Sequence, residues 1–381
     1  MTKIKQIICI NLLTLISFTL NAQQIIIGAE RTEMYVKNIS NKNIAIISNQ
    51  TSMIKNAHLV DSLIKLNVNV TRVFSPEHGF RGKEDAGFEI EDGIDKKTGI
   101  PIISLYGKNK KPTKEQLKNI EIILFDLQDV GVRFYTYIST LHYVMEAAAE
   151  NNLPVILLDR PNPNNHYIDG PVLDTSFRSF VGMHPVPIVY GMTIGEYAKM
   201  INGENWIKKK CNLTIIELKN YYRKTGYNLP IKPSPNLPNQ RSINLYPSLC
   251  LFEGTNISVG RGTKYPFQHF GAPYLKSNYS FKPKSGEGSK YPKHENQECF
   301  GTDLRFQDNY LQSLNIKWLI NTYNESPNKK EFFNNFFDKL AGNDKLRKQI
   351  ISNESEKNIR NSWEKEVLEF KKIREKYLIY K

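Results

Sequence analysis

The chain has 381 residues, of which 40% are hydrophobic, 11% aromatic and 24% charged. This composition is typical of a globular protein with a large core and more than one domain, and it excludes a disordered or fibrous chain. Lysine and arginine total 52 against 38 aspartate and glutamate residues, so the net charge of +14 favours an anionic partner such as nucleic acid, a membrane surface or an acidic glycan. Because the lysines are dispersed and no arginine-rich tract or zinc-finger motif occurs, we do not expect nucleic acid.

The N-terminus has the pattern of a secretory signal peptide over residues 1–22. Lys3 and Lys5 precede an apolar run from Ile7 to Leu20, and the small residue Ala22 lies at the expected cleavage point. The apolar run is too short for a typical membrane span. We therefore expect an exported protein, periplasmic or secreted, without stable membrane insertion once the signal is cleaved.

The mature chain keeps three of the four cysteines: Cys211, Cys250 and Cys299. Their spacing matches no zinc site, and an odd number leaves room for one disulfide at most. Buried free thiols are the expected state, with a Cys250–Cys299 bridge as the open alternative.

Short β-rich runs alternate with helical segments from residue 25 onward. Strands are predicted over 43–48, 68–74, 101–106, 120–125, 154–158 and 213–218, and helices over 59–66, 114–119, 140–151 and from the capping box Thr193–Glu196 towards Ile201. This alternation predicts an α/β fold: a Rossmann-like, mostly parallel sheet with helices on both faces.

The C-terminal third has a different pattern. Residues 228–248 are rich in proline and predict a domain seam or an extended crossing. Near the end, Trp363, Val367, Phe370, Ile373 and Tyr377 recur at steps of three and four, which predicts a helix with one apolar stripe packed on the core.

Polar clusters follow several of the predicted strands. Asn49-Gln50-Thr51, the loop from Ser75 to Asp85, Asp126–Asp129 and Asp159-Arg160 all begin where an apolar run ends. The carboxyl ends of parallel strands meet at one edge of a sheet, where ligands bind. Helix capping explains one or two such clusters, whereas a shared site explains the whole series.

The loop after the second predicted strand is the most promising part of this edge, because Pro76 and Gly79 interrupt regular structure around Glu77 and His78. Phosphate-binding, zinc-protease and serine-hydrolase motifs are absent, so we expect no cofactor and no metal. Several carboxylates on one edge suit general acid/base chemistry, as in glycoside cleavage, where one carboxylic acid protonates the leaving oxygen and a second carboxylate attacks or activates water. Tyrosines suit sugar faces, and an arginine suits a substrate carboxylate. The candidate residues are Asn49, Gln50, Glu77, His78, Arg81, Glu84, Asp85, Asp126, Gln128, Asp129, Arg133, Tyr135, Tyr137, Asp159, Arg160, Glu253 and Arg261.

Five motifs resemble those of a known family. They are the runs 75–82 (SPEHGFRG), 126–137 (DLQDVGVRFYTY), 158–163 (LDRPNP), 169–171 (DGP) and 252–256 (FEGTN) with 260–263 (GRGT). Together they look like the motifs of the NamZ-type exo-β-N-acetylmuramidases, formerly a domain of unknown function. The resemblance extends from Asn49 to about Arg305.

The resemblance implies a Rossmann-like catalytic domain over residues 23–240 and a smaller α+β domain over 241–381, with the active site in the cleft between them. It also implies removal of terminal N-acetylmuramic acid from the non-reducing end of peptidoglycan fragments, which makes muropeptide-type glycans the expected partner. The lactyl carboxylate of this sugar would give the basic charge balance a specific purpose.

Within this framework, each candidate receives a predicted role. Glu77 is the predicted general acid/base, tuned by His78, and the second carboxylate is Asp129 or, next, Glu84. Arg133, Arg160 and Arg261 are candidates for binding the lactyl group or holding the carboxylates. Asn49, Gln50, Arg81, Gln128, Tyr135, Tyr137, Asp159 and Glu253 complete the predicted substrate-binding set.

Two other classes of function remain open from the sequence. A non-catalytic binder of muropeptides or other acidic glycans would use the same cleft without needing paired carboxylates. A different wall hydrolase, such as an esterase or amidase, would need a serine or cysteine nucleophile motif, which the sequence does not show.

Overall fold

The structure, a computed structural model, describes residues 24–77, 79–80, 92–306 and 310–381. The strands are β1 (Ile44–Ser48), β2 (Met53–Ile54), β3 (Ala57–His58), β4 (Val70–Ser75), β5 (Gly93–Ile94), β6 (Pro101–Ser104), β7 (Ile122–Asp126), β8 (Val155–Leu158), β9 (Leu213–Ile216), β10 (His269–Ala272), β11 (Ser280–Phe281) and β12 (Cys299–Asp303). The helices are α1 (Val36–Ile39), α2 (Leu59–Lys65), α3 (Tyr137–Glu150), α4 (Ile194–Gly203), α5 (Gln240–Leu249), α6 (Lys317–Glu325), α7 (Phe337–Ala341), α8 (Lys345–Ile351) and α9 (Glu356–Glu375).

A seven-stranded sheet forms the centre of the molecule, in the order β5-β6-β4-β1-β7-β8-β9. Six of these strands run parallel, and the short edge strand β5 is antiparallel to β6. If the six parallel strands are numbered 1 to 6 in chain order, their order across the sheet is 3-2-1-4-5-6. This is the strand order of dinucleotide-binding Rossmann folds. The predicted α/β fold is confirmed.

The central strand β1 shows why the sheet is covered on both faces. All five of its residues are buried, as expected for a parallel strand between two layers of helices. Ala45 and Ile47 belong to one hydrophobic cluster, which includes the apolar face of α3, whereas Ile44 and Ile46 belong to a second cluster with α2. The alternation follows from the two-residue period of a strand.

The capping box at the start of α4 is confirmed. The hydroxyl of Thr193 accepts a hydrogen bond of 3.2 Å from the Glu196 amide, and the Glu196 carboxylate accepts one of 3.0 Å from the Thr193 amide. The two bonds satisfy amide groups that have no partner within the helix.

The helix predicted over 114–119 is wrong, because this segment forms turns. The amide of Leu117 donates both to the carbonyl of Thr113, four residues back, and to the carbonyl of Lys114, three residues back. Asn119 then adopts a left-handed conformation with φ 62°, which ends the segment. Hydrogen bonds that reach only three residues back form turns, whereas an α-helix needs successive bonds that reach four residues back.

The predicted extended crossing over 228–248 is wrong for its second half, where α5 begins at Gln240. Asn239 caps this helix by accepting a hydrogen bond of 3.0 Å from Ser242 N. Pro247 lies inside the helix near its C-terminal end. The Asn239 cap and packing against the core therefore outweigh the loss of one amide donor at Pro247.

The C-terminal part of the chain packs onto the face of the main sheet that carries Ala45 and Ile47. It contains the small antiparallel sheet β10-β12-β11 and the long helix α9. Trp363, Val367 and Phe370 of α9 are buried in the cluster that also holds Ala45 and Ile47, so the predicted stripe is core packing. Cys211, Cys250 and Cys299 are free and buried, as expected. Within the described ranges, no helix is both long and apolar enough to cross a bilayer.

Candidate active site

The strand order of the main sheet reverses between β1 and β7. These neighbouring strands end at the same level, with Ser48 paired to Asp126, while the chain continues to β4 on one side and β8 on the other. In open α/β sheets, ligands bind outside the carboxyl ends of the strands at such a switch point. The loops at this edge contribute to a cavity.

This cavity has a volume of ≈ 410 Å³ and is lined by residues from both halves of the chain. Segments after β4, β6, β7 and β8 form one wall, and segments between residues 234 and 340 form the other. The residues that carry its chemistry are Glu77, Tyr106, Tyr135, Tyr246, Glu253 and Arg261. Aromatic rings and a few charged groups in one concave site are typical of small-ligand pockets.

Glu77 is half-buried in the cavity wall, two residues beyond the end of β4. Its Oε2 accepts a hydrogen bond of 3.1 Å from the hydroxyl of Thr136. Tyr106, which follows β6, hydrogen-bonds to the same carboxylate. Burial of Tyr106, together with the negative charge of Glu77, raises the pKa of this phenol above its ordinary value. Two hydroxyl groups from two different loops therefore hold the Glu77 carboxylate in place.

Glu253 and Arg261 form a two-point ion pair in the same cavity. Arg261 Nε donates to Glu253 Oε1 at 2.5 Å, and Nη2 donates to Oε2 at 3.1 Å. Burial alone would raise the pKa of Glu253, but the Arg261 guanidinium outweighs burial and lowers it. Cys250 Sγ lies 3.6 Å from Glu253 Oε2, and burial raises the pKa of this thiol well above its ordinary value. The glutamate is therefore held ionised, whereas the cysteine is not an activated nucleophile.

Asp129 is buried and does not line the cavity. Its Oδ2 accepts hydrogen bonds from the hydroxyl of Tyr190 and, at 2.6 Å, from Gly131 N, while Oδ1 has no partner among the described residues. Burial raises the pKa of Asp129 to about 6, although these hydrogen bonds oppose the shift. The carboxylate thus shapes the loop that leads to Thr136, rather than facing the cavity.

Asn49 and the two predicted tyrosines contact one another in sequence, from behind the cavity wall to the wall itself. Asn49 Nδ2 donates to the hydroxyl of Tyr137 at 2.6 Å, and the rings of Tyr137 and Tyr135 meet edge to face at 4.8 Å. Tyr135 lines the cavity, and its hydroxyl donates to the carbonyl of Pro233 at 2.8 Å. Tyr135 is the member of this group that a bound sugar can reach.

Gln50 contacts the proline-rich segment instead of the cavity. Its side-chain amide donates to the carbonyls of Lys232 and Pro233 at 3.3 and 3.2 Å. These bonds help to place the following residues, Ser234 and Asn236, in the cavity wall.

The side chains of Gln128 and Arg160 also bond to other groups of the protein. Gln128 Nε2 donates to the carbonyls of Asp129 and Pro161 at 2.8 and 2.7 Å. Arg160 forms a buried two-point ion pair with Asp126, at 2.5 and 2.8 Å. None of these side chains lines the cavity that holds Glu77.

Asp159 joins the sheet edge to α4 and to the C-terminus. Its carboxylate accepts hydrogen bonds of 2.8 Å from both the Thr193 hydroxyl and Gly195 N, and one of 2.7 Å from the Tyr380 hydroxyl. Burial raises the pKa of Asp159 to about 7, against these hydrogen bonds. The Asp159 carboxylate therefore joins segments of the protein and does not line the cavity.

Arg133 is fully buried and lies away from the cavity. Its guanidinium donates to the carbonyls of Pro171 and Val186 at 2.8 and 2.7 Å, and to those of Leu340 and Ala341 at 3.0 and 2.6 Å. These bonds join the loop after β7 to α7. Of the three predicted arginines, Arg261 is therefore the one that lines the cavity.

Four candidates from the loop after β4, His78, Arg81, Glu84 and Asp85, lie outside the described residues. In contrast, several cavity residues were not predicted from the sequence: Tyr106, Thr136, Asn236, Tyr246, Lys290 and Tyr291. Tyr106 is the last residue of the strand predicted over 101–106, so it lies at the same predicted edge of the sheet as Glu77 and could have been selected with it. Thr136 lies within the motif 126–137, between two residues that were selected, whereas the other four follow no predicted strand directly and lie in no motif that was singled out.

Two family models match the chain. The model described as exo-β-N-acetylmuramidase NamZ, N-terminal, matches residues 44–241, and the corresponding C-terminal model matches residues 244–380. The peptidoglycan β-N-acetylmuramidase NamZ of Bacillus subtilis (strain 168) is 42% identical over 375 residues, an alignment that covers 91% of this chain and 89% of that protein.

Crystal structures of two DUF1343 family proteins from Bacteroides fragilis are similar to this chain. The first is 46% identical with a TM-score of 0.88, and the second is 30% identical with a TM-score of 0.83. Each comparison covers 94% of this chain and 99% of the other. The two family models and the 42% identity to the Bacillus protein show that the chain belongs to the NamZ family of exo-β-N-acetylmuramidases.

Proposed function

We propose that this protein is an exo-acting glycoside hydrolase that releases terminal β-linked N-acetylmuramic acid from the non-reducing end of peptidoglycan fragments. Its family membership and the activity named for the Bacillus relative support this proposal. The structural observation that carries it is the position of Glu77, a half-buried carboxylate in the wall of a cavity that also holds the Glu253–Arg261 pair.

Glu77 is the proposed general acid/base. A protonated carboxyl at this position would donate its proton to the glycosidic oxygen as the bond breaks, and the resulting carboxylate would activate water in a second step. Thr136 and Tyr106 restrict its orientation. A carboxyl group held by neighbouring hydroxyls needs little rearrangement before proton transfer.

A second carboxylate is needed to attack the sugar, to activate water or to stabilise the positive charge that develops on it. Glu253 becomes our candidate among the described residues, because it is the other carboxylate that lines the cavity. The carboxylate of Asp129 is turned towards Tyr190 and Gly131 instead. Glu84 retains its predicted role as a further candidate.

Arg261 is the proposed ligand of the lactyl carboxylate. Its Nε and Nη2 bond to Glu253, whereas Nη1 has no hydrogen-bond partner among the described residues. A guanidinium can bind one carboxylate along its side and a second at its end. Glu253 would thus orient the arginine while the substrate occupies the remaining edge.

We also propose that the chain is exported and that residues 1–22 are removed. The basic start at Lys3 and Lys5 and the apolar run that follows support this proposal. Wall fragments lie outside the cytoplasmic membrane or in the periplasm, so export would bring the enzyme to its substrate.

The function can be tested with a chromogenic β-glycoside of N-acetylmuramic acid and its N-acetylglucosamine counterpart. We expect the mature protein to cleave the first in preference, and Glu77→Gln to lower turnover by about 10²-fold or more, the scale of lost acid/base assistance. Glu115→Gln, on an 84% exposed side chain, is the control. Binding of muropeptides without any cleavage would favour a binding protein, and release of an acyl or peptide product would favour an esterase or amidase.

A further inference from the structure

The rim of the cavity carries a large exposed aromatic side chain, Tyr291. It is 77% exposed, yet it lines the same cavity as Glu77. A single exposed aromatic residue on a protein surface needs no explanation. Tyr222 is such a residue, since it is 65% exposed and does not line the cavity.

The backbone on both sides of Tyr291 is firmly held. Before it, Asn236 Nδ2 donates to the carbonyl of Gly288 at 2.6 Å, and Ser285 Oγ donates to the carbonyl of Lys290 at 2.8 Å. After it, the partly buried ammonium of Lys293 bonds to three main-chain carbonyls of the segment 252–257. The Tyr291 ring is therefore exposed although the backbone on both sides of it is held in place.

An exo-acting glycosidase needs two kinds of contact around the bond that it cleaves. In the proposed function, the terminal sugar would occupy the cavity beside Glu77, and the sugar that leaves would lie at its mouth. The C–H faces of a pyranose are apolar and pack against the face of an aromatic ring, whose large surface contributes most of the contact energy. Tyr291 presents such a ring at the mouth, with the Lys290 ammonium 5.7 Å from the ring centroid.

We propose that Tyr291 is the platform for the leaving sugar, stacking on the N-acetylglucosamine unit next to the scissile bond. The inference rests on the proposed exo-muramidase function and adds a specificity-determining residue to it. It places the reducing-side sugar on the C-terminal half of the chain, whereas the acid/base residue belongs to the N-terminal half.

The test uses the disaccharide in which N-acetylmuramic acid is β-1,4-linked to N-acetylglucosamine, with the variants Tyr291→Ala and Tyr291→Trp. The alanine variant should lower kcat/KM about tenfold, chiefly through KM, since one aromatic contact is lost. The tryptophan variant should restore the rate to within about threefold of the unsubstituted protein. Tyr222→Ala should have no effect, and the Tm of every variant should stay within about 2 °C, as expected for exposed positions.

Two outcomes would overturn the role of Tyr291: a kcat/KM of Tyr291→Ala within twofold of the unsubstituted protein, or a loss that tryptophan does not restore. A failure of the proposed function would look different, because the unsubstituted protein would then cleave no disaccharide. In that case, calorimetric binding of the same disaccharide still decides the role of Tyr291. Equal affinity of the unsubstituted protein and Tyr291→Ala would overturn it, and about tenfold weaker binding to the variant would support it.

Discussion

The hydroxyl of Thr136 donates a hydrogen bond of 3.1 Å to Oε2 of Glu77. Thr136 precedes α3 in the loop after β7, and Glu77 follows β4, so the bond links loops from two strands that β1 separates. The switch point of the sheet thus brings together a proposed acid/base and the group that orients it. The sequence separation of 59 residues makes this a product of the fold.

Replacing Thr136 by valine keeps the shape of the side chain but removes this donor. A hydrogen bond to a charged group contributes about 1.5–3 kcal/mol, so we expect Thr136→Val to lower kcat/KM about tenfold or more on the muramic acid glycoside. Thr136→Ser keeps the hydroxyl and should stay within about threefold of the unsubstituted protein. Because Thr136 is buried, thermal unfolding of both variants must accompany the kinetics. Full activity in the valine variant would exclude a positioning role.

Replacing Arg261 by lysine keeps the charge but removes the planar fork. We expect the inhibition constant of free N-acetylmuramic acid to rise about tenfold, with that of N-acetylglucosamine unchanged, because only the first sugar carries a carboxylate. Arg305→Lys is a matched control. Arg305 forms a similar pair with Asp303, with side-chain exposures of 26% and 21% against 24% and 23% for Arg261 and Glu253, and it does not line the cavity. Equal weakening for both sugars would contradict the role of Arg261.

The buried carboxyl of Asp129 predicts a specific pH dependence of stability. Its pKa is raised to about 6 in the folded protein, from an ordinary value of 3.8. Between these values the folded state binds more protons than the unfolded state, so this residue's contribution to the free energy of unfolding falls as the pH rises from about 4 to about 6. Asp129→Asn should remove that contribution, which amounts to roughly 3 kcal/mol.

The measurement is urea unfolding of the unsubstituted protein and Asp129→Asn between pH 4 and 7.5. The difference between the two proteins isolates Asp129 from the buried histidines, whose lowered pKa values act in the opposite direction. A difference that does not change with pH would contradict the raised pKa. Turnover of Asp129→Asn at pH 7 should remain within a few-fold of the unsubstituted protein, and a loss of 10²-fold or more would restore Asp129 as the second carboxylate.

Gly131 should tolerate no side chain. It has φ 75°, and a Cβ there would lie 2.1 Å from Oδ1 of Asn162, which is buried and bonded to the carbonyl of Met192. Gly99 has nearly the same φ, 74°, and a Cβ at that position would meet nothing within 4 Å among the described residues. We expect Gly99→Ala to cost about 1 kcal/mol, the penalty for left-handed backbone alone, and Gly131→Ala to cost at least about 2 kcal/mol more. Equal losses would show that Asn162 moves aside.

Much of the fold follows from local patterns in the sequence. The apolar run at residues 43–48 predicts a strand because every residue of a central parallel strand is buried, and Ile44–Ser48 is that strand. Thr193 and Glu196 predict the start of α4 through a reciprocal pair of hydrogen bonds only three residues apart. Such features depend on neighbours in the chain, so the sequence alone determines them.

The composition of the site depended on the tertiary structure. Arg133 and Asp159 occur in loops at the same edge of the sheet as Glu77, yet their side chains bond to groups up to 208 and 221 residues away and do not reach the cavity. Tyr291 also lies in the cavity wall, but no predicted strand ends directly before it. The search for polar residues at strand ends therefore did not select it. Strand order places a residue on an edge, but only packing between distant segments decides whether its side chain bonds to the protein or faces a ligand.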